Sequence, residues 1–198
     1  MWAVSVFTWC RRCTEWFLLT GLPLLTTERL VLRPFAAGDV DDALVYRDDP
    51  EFARFLPHIP QPFTRNDAER FVATNMTEPW DQFATFAIVL NGHVIGTVNL
   101  DTNASTQTAM LGYAIGRAYW GRGIAPEAAQ AVLRWAFESR DLERVWASTD
   151  VRHMRSRRVL ERLGMQHEAT LRAHAMARDG RTDEVVYGLL RSEWDGSN

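Results

Sequence analysis

The chain has 198 residues, about one domain's length at ~100–200 residues each, and enough to close a single core without staples. Hydrophobic residues make up 46% and charged residues 24%, an ordinary globular balance that excludes disordered, collagenous and low-complexity classes. The formal charge is −3 and all 22 basic residues are Arg, so there is no global field for duplex DNA and no lysine for Schiff-base or P-loop chemistry.

Residues 1–23 read as an N-terminal extension outside the core, and 24–198 as one domain. Trp2, Trp9 and Trp16 recur every seven residues, which also fits an amphipathic interfacial or partner-binding helix. The apolar run from Trp2 stops at Arg11-Arg12, short of the ~20 residues that cross a bilayer. No charge precedes it and no small-residue cleavage site follows the second run, so neither a membrane partner nor secretion is expected. Cys10 and Cys13 stand C-x-x-C without a second pair or a His partner, too few ligands for zinc. The expectation is a cytoplasmic protein without a metal.

From Thr26 the pattern becomes regular. Arg29 to Arg33 alternates with period two and stops at Pro34, a first strand. Asp39 to about Arg47 places Val40, Ala43 and Leu44 on one helical face. Pro50, Pro57, Pro60 and Pro62 mark a loop, and Thr64 with Asp67 reads as a capping box opening a helix to about Met76. Two β runs, Phe83 to Leu90 and His93 to Leu100, flank Asn91-Gly92, the pair suited to a type I′ hairpin. A strand covers Thr108 to Ile115, followed by a Gly-rich loop and a helix from about Pro126 to Glu138. Val145 to Thr149 reads as a strand, Met154 to Leu163 as a helix ended by Gly164, and Gln166 to Leu171 as another strand. Asp179-Gly180 turns into a last strand, Glu184 to Leu190. This order implies an α+β, mixed α/β sheet rather than a doubly wound one.

The segment Tyr119-Trp120-Gly121-Arg122-Gly123-Ile124-Ala125-Pro126-Glu127-Ala128 joins a strand to a helix. Its glycines admit close approach of a ligand to the backbone, Pro126 suits the first helical turn, and unpaired amides at the helix dipole's positive end make an anion cradle. A Walker loop is excluded for want of G-K-[ST]. A dinucleotide G-x-G-x-x-G would need Gly at position 126 and an early strand, although Asp141 lies where a ribose-binding acid would. Gly123 and Ala125 fit the acyl-CoA pattern R/Q-x-x-G-x-G/A, with Trp120 in its basic first position. A plain connecting turn is the remaining reading.

Several separated segments carry a resemblance. They are Thr27-Glu28-Arg29-Leu30, Gly112-Tyr113-Ala114-Ile115, the Gly loop itself, Ser156-x-x-Val159-Leu160-x-x-Leu163-Gly164-Met165, and Tyr187-Gly188-Leu189-Leu190 with Glu193-Trp194. Together they resemble the GNAT acetyltransferase superfamily, nearest its ribosomal-protein-alanine N-acetyltransferase (RimJ/RimL-like) branch, over about Leu24 to Trp194. The resemblance implies a largely antiparallel mixed sheet of six or seven strands, splayed between strands 4 and 5 and flanked by about four helices. It also implies acetyl-CoA as co-substrate, its pantetheine arm in the splay, and direct attack by a primary amine.

On that resemblance, Ala114, Ile115, Arg122, Gly123, Ile124, Ala125, His153 and Ser156 contact the cofactor, and a backbone amide within Leu111 to Ile115 donates to the oxyanion. Ser156 is the candidate to protonate the departing thiolate, against a bland role as a helix cap. His153 stands where the branch's N-x-x-S motif has Asn, and Met110 where many relatives carry Glu. Replacement bases are Asp101, Asp150 and His174; His174 is placed in the catalytic set because imidazole suits proton transfer near neutrality. Arg152, Arg155, Arg157, Arg158 and Arg162 form either a solvated helix face or contacts to nucleotide phosphates, with no nucleic-acid partner expected. The acceptor is a protein N-terminus or a small amine, and assembly as a homodimer stays open. Two alternatives remain, a non-catalytic acyl-CoA-binding regulatory module and a small-molecule or antibiotic acetyltransferase.

Overall fold

The computed structural model describes residues 21–196; Trp2, Trp9, Trp16, Cys10, Cys13 and all of the extension before residue 21 lie outside the described residues. In chain order the elements are β1 (Leu25–Thr26), β2 (Val31–Arg33), α1 (Val40–Arg47), α2 (Pro50–Ala53), α3 (Arg65–Thr77), β3 (Phe83–Leu90), β4 (His93–Asn103), β5 (Thr108–Ile115), α4 (Ile124–Ser139), β6 (Arg144–Asp150), α5 (Met154–Arg162), β7 (Gln166–Ala177) and β8 (Gly180–Leu190). The strands form one sheet in the order β1-β2-β3-β4-β5-β6-β8-β7. All neighbours pair antiparallel except β5 and β6.

Local chemistry explains most boundaries. Asn91 and Gly92 both take positive φ, 52° and 86°, as the type I′ turn between β3 and β4 demands. Thr64 and Asp67 form the reciprocal capping box at α3, the Thr64 amide reaching Asp67 Oδ2 at 2.9 Å. On α4, Ala128, Ala129, Val132, Leu133, Ala136 and Phe137 are buried with helical spacing, laying one stripe on the sheet. The described residues form eight strands against the six or seven expected, because the two-residue β1 joins the edge, and five α-helices against about four, because α2 closes a turn within the proline-rich segment.

Alternation along the strands gives the sheet two different faces. Leu111, Val145, Ala147, Val185 and Leu189 point into the core under α4 and α5. A second core, with Phe35, Tyr46, Phe52, Phe63, Val72 and Ala87, sits under α1 to α3. The parallel β5–β6 ladder consists only of Thr108–Arg144, Ala109–Val145 and Met110–Trp146. Beyond Met110 and Trp146 the two strands part, opening the expected splay; counted without β1, these are the fourth and fifth strands.

Candidate active site

The Gly loop lies at the N-terminus of α4. Gly121 and Gly123 adopt φ of 75° and 74°, the left-handed region that side chains disfavour. Gly123 is the helix N-cap, so α4 starts at Ile124, and Pro126 falls in its first turn with no amide left unpaired. The amides of residues 121 to 125 have no backbone acceptor among the described residues, whereas Trp120 and Glu127 donate to Arg117 and Gly123. The loop lines a cavity of about 520 Å³ together with Arg29, Arg122, Gln130 and Arg162.

A clamp from the turn between β1 and β2 holds this loop. Thr27 Oγ1 donates to Glu127 Oε1 at 2.5 Å, Arg29 Nε donates to Glu127 Oε2 at 2.7 Å, and Arg29 Nη1 donates to the Arg122 carbonyl at 3.0 Å. Burial opposes ionisation of Glu127, but hydrogen bonds from Thr27 and Arg29, with the Arg29 charge, hold its carboxyl below the usual range. Trp120, in the motif's basic position, donates Nε1 to the Ile115 carbonyl at 2.7 Å and lies under the Arg155 guanidinium, 4.7 Å from its ring centroid. It acts as a strut for the loop.

The open part of the splay is bridged on the α5 side by Tyr113 and Ser156. Tyr113 Oη lies 2.9 Å from Ser156 Oγ and donates to the Ser156 carbonyl at 3.1 Å. Burial pushes the Tyr113 phenol well above its ordinary value, so it stays protonated. Ser156 is the third residue of α5 and does not cap it; the N-cap is His153, which makes no side-chain cap bond. The His153 ring stacks on Phe55 at 4.2 Å and its Nδ1 lies 3.3 Å from Thr149 Oγ1. Burial lowers its pKa to about 4, with Arg155 and Arg54 adding to the lowering and Asp150 opposing it.

On the opposite face of β6 and β8, Glu184 gathers two partners. Ser148 Oγ donates to Glu184 Oε1 at 2.5 Å, and His174 Nδ1 lies 2.6 Å from Glu184 Oε2. Asp101 pairs with Met110 across β4 and β5, and Met110 with Trp146, so Asp101 shares the face from which a Met110 carboxylate is missing. Asp150 is committed elsewhere: Arg152 binds it at 2.7 Å and also reaches Asp179 at 2.8 Å. Burial opposes its ionisation, but the Arg152 hydrogen bonds and charge, with a bond from Thr182, hold the Asp150 carboxyl low and leave it a poor base.

A family model of the acetyltransferase (GNAT) domain matches residues 29–166. The chain belongs to the GNAT acetyltransferases. The uncharacterized N-acetyltransferase p20 of Bacillus licheniformis is 30% identical over 175 residues, 87% of this chain and 98% of that protein. A crystal structure of a GNAT-family acetyltransferase from Bacillus anthracis superposes with a TM-score of 0.78 at 26% identity, covering 86% of this chain and 100% of that one. RimL, the ribosomal L7/L12 α-N-protein acetyltransferase solved with coenzyme A, has a TM-score of 0.77 at 16% identity, covering 85% of this chain and 98% of that one, a likeness of fold.

This GNAT chain is therefore an acyltransferase with acetyl-CoA as its co-substrate. The residues present fit that group: unengaged amides stand beside Arg122 and Arg162, Arg29 being paired with Glu127, which suits a diphosphate, and the strand gap is open. The expected contact set divides accordingly. Ile115 and Ile124 bury their side chains in the core and Ala114 packs against the second core, so these three have only backbone atoms to offer. Arg122 is exposed at the loop. Of the arginine cluster, Arg162 lines the Gly-loop cavity, while Arg152 is held by carboxylates and Arg157 donates to Tyr187 Oη at 3.2 Å. Among the described residues no helix is long and apolar enough to cross a membrane. Tyr113, Glu184 and the Thr27–Arg29–Glu127 clamp are functional parts the sequence alone does not single out; the first and last lie inside the segments that carry the family resemblance, whereas nothing local marks Glu184.

Proposed function

We propose that the chain acetylates the α-amine of a peptide or protein N-terminus, or a small amine of similar basicity, by direct attack on acetyl-CoA. The observation that carries this reading is the pairing of an unengaged amide cradle at residues 121–125 with the Tyr113–Ser156 hydroxyl pair that joins β5 to α5 beside the gap. Acetyl-CoA brings the activated acetyl thioester. Residues 121–125 hold its diphosphate, Arg122 and Arg162 adding charge, and Ala114 and Ile115 border the arm through their backbones. Ser156, held in place by Tyr113, passes its hydroxyl proton to the departing sulfur and takes one back from solvent. His174, oriented by Glu184, takes the proton from the acceptor.

An α-amine titrates at about 8, against about 10.4 for a lysine side chain, so it needs least help from a site without a carboxylate at Met110. A polycationic small molecule is less well served. Asp48 accepts from the Phe63 amide at 3.0 Å, and Asp49 caps α2 through the amides of Glu51 and Phe52.

Thiol release from acetyl-CoA over a panel of short peptides and small primary amines tests the reading. Free-N-terminus peptides turn over and their Nα-blocked counterparts do not. Ser156→Ala lowers kcat by about 100-fold or more, the range of a lost general acid, with KM for acetyl-CoA nearly unchanged. Unaltered kcat on a good acceptor removes Ser156 from the chemistry, and turnover confined to lysine-like amines overturns the acceptor assignment.

A further inference from the structure

A second feature lies away from the Gly loop. Arg47, the last residue of α1, is 7% exposed, and its guanidinium sits in a box of rings. It is 3.8 Å from the Phe71 centroid, 5.2 Å from Phe63, 5.8 Å from Phe52 and 5.9 Å from Tyr46. Ring faces recover part of the desolvation cost of a cation, but Arg47 Nε is buried without a hydrogen-bond partner. A buried charge normally has a counter-ion.

The surrounding carboxylates are committed elsewhere. Asp39 pairs with Arg33, and Asp42 takes the Val94 amide and His93. Asp48 and Asp49 accept backbone amides. Asp67 accepts from Thr64 and pairs with Arg70. The Tyr46 phenol, pushed up to about 12 by burial against the lowering effect of Arg47, stays neutral. Among the described residues no carboxylate comes within salt-bridge distance of the Arg47 guanidinium.

Beside it opens a shallow, solvent-open cleft of about 360 Å³ whose walls include Arg47, His58, Ile59, Pro60, Phe63 and Phe71, room enough for a small molecule. Of the other charged groups on its wall, Arg70 and Asp67 neutralise each other. Burial and the charges of Arg47 and Arg178 hold His58 below its ordinary range, so it adds an N–H and no second charge. One planar cationic fork among apolar walls is complementary to a carboxylate carried on an apolar body.

We infer that this cavity binds a small monocarboxylate with an apolar body, its carboxylate on Arg47 and the body against Ile59, Pro60, Phe63 and Phe71. The segment that supplies His58, Ile59 and Pro60 also carries Phe55, stacked on His153, and is tied to β7–β8 by Arg178 donating to the Ala53 carbonyl at 3.1 Å. The cavity and the transfer site thus share one wall, and ligand there would steady it.

Calorimetric titration of the full chain with benzoate tests this directly, without relying on turnover. Benzoate binds saturably; benzamide, the neutral isostere, and inorganic phosphate, which has no apolar body, bind at least about tenfold more weakly, the loss expected when a charge-assisted bond is removed. Arg47→Met loses benzoate binding by at least about tenfold. Thr74→Trp, at an exposed position lining the cavity, does the same while leaving Arg47 in place, which covers the case of a misfolded Arg47 variant. Excess coenzyme A does not displace benzoate. Absent or non-saturable binding, binding that survives both substitutions, displacement by coenzyme A, or phosphate binding as tightly as benzoate each overturns the inference.

Discussion

His153 shows how one residue's surroundings set its chemistry. Stacked on Phe55 and largely buried, it has a pKa of about 4 against 6.5 for an exposed imidazole, so at neutral pH it is an uncharged hydrogen-bonding group. The stability consequence has a definite sign. Unfolded chain takes up a proton as pH falls below 6.5 while folded chain does not until about 4, so this ring's contribution is intact above 6.5 and lost as pH falls toward 4. Between pH 7 and 5, wild type should lose roughly 1 kcal/mol more stability than His153→Phe, which keeps the stack and cannot titrate; the figure allows for the part of the ring that solvent reaches. Denaturant unfolding at the two pH values measures it, and equal losses would show the ring to be solvated. In the sequence, position 153 was legible only as a departure from a motif. Its partner Phe55 lies 98 positions away, in a proline-rich segment with no periodicity to place it. Glu184 was illegible for the same reason, since His174 and Ser148 meet it only once β6, β7 and β8 are paired.

At the scale of elements, the sequence was clearest where local chemistry alone decides. The Asn91-Gly92 hairpin, the Thr64–Asp67 box and the strand Thr108–Ile115 stand where they were read. Two-residue β1 is too short to show a period, and the second half of β7, largely exposed, has no alternation to reveal it. The Thr27-Glu28-Arg29-Leu30 segment was legible as a motif but not as a device. In the fold, its Thr and Arg seize Glu127 on the first turn of α4 and the Arg122 carbonyl, pinning the Gly loop from outside. The ionised form of Glu127 is what accepts these bonds, and charge-assisted bonds are about twice as strong as neutral ones. Glu127→Gln keeps the shape and removes the charge, so the loop's amides lose their fixed aim. KM for acetyl-CoA should rise by about three- to tenfold, with kcat within about twofold because Tyr113 and Ser156 lie on other elements. Steady-state kinetics separates the two, and a fall in kcat alone would place Glu127 in the chemistry instead of the clamp.

Across the whole molecule, the sheet is nearly two sheets. One half, β1 to β5, is a continuous antiparallel meander; the other, β6 to β8, is joined to it by three parallel pairs at the closed end of the splay. Past those pairs side chains join the halves, among them the Tyr113–Ser156 hydroxyls, the Phe55–His153 stack, and Arg178 reaching from β7–β8 to the carbonyls beside α2. Edge amides facing such a gap have no ladder partner and exchange through small local openings instead of global unfolding. A co-substrate arm lying in the gap would engage both edges and couple the halves, and ligand binding stabilises the states that bind it by mass action. Hydrogen exchange with and without acetyl-CoA should therefore slow in three separated stretches: 111–115 on β5, 147–150 on β6, and 121–125 at the loop. The β3–β4 hairpin, already paired from Phe83 to Leu90 apart from one irregularity between Ile88 and Val89, should change little. Protection restricted to 121–125 would mean that the diphosphate is held while the arm lies outside the splay. Protection spread evenly over the sheet would mean global stabilisation with no specific bridging. Only the three-part pattern matches a cofactor that completes the sheet where its two halves diverge.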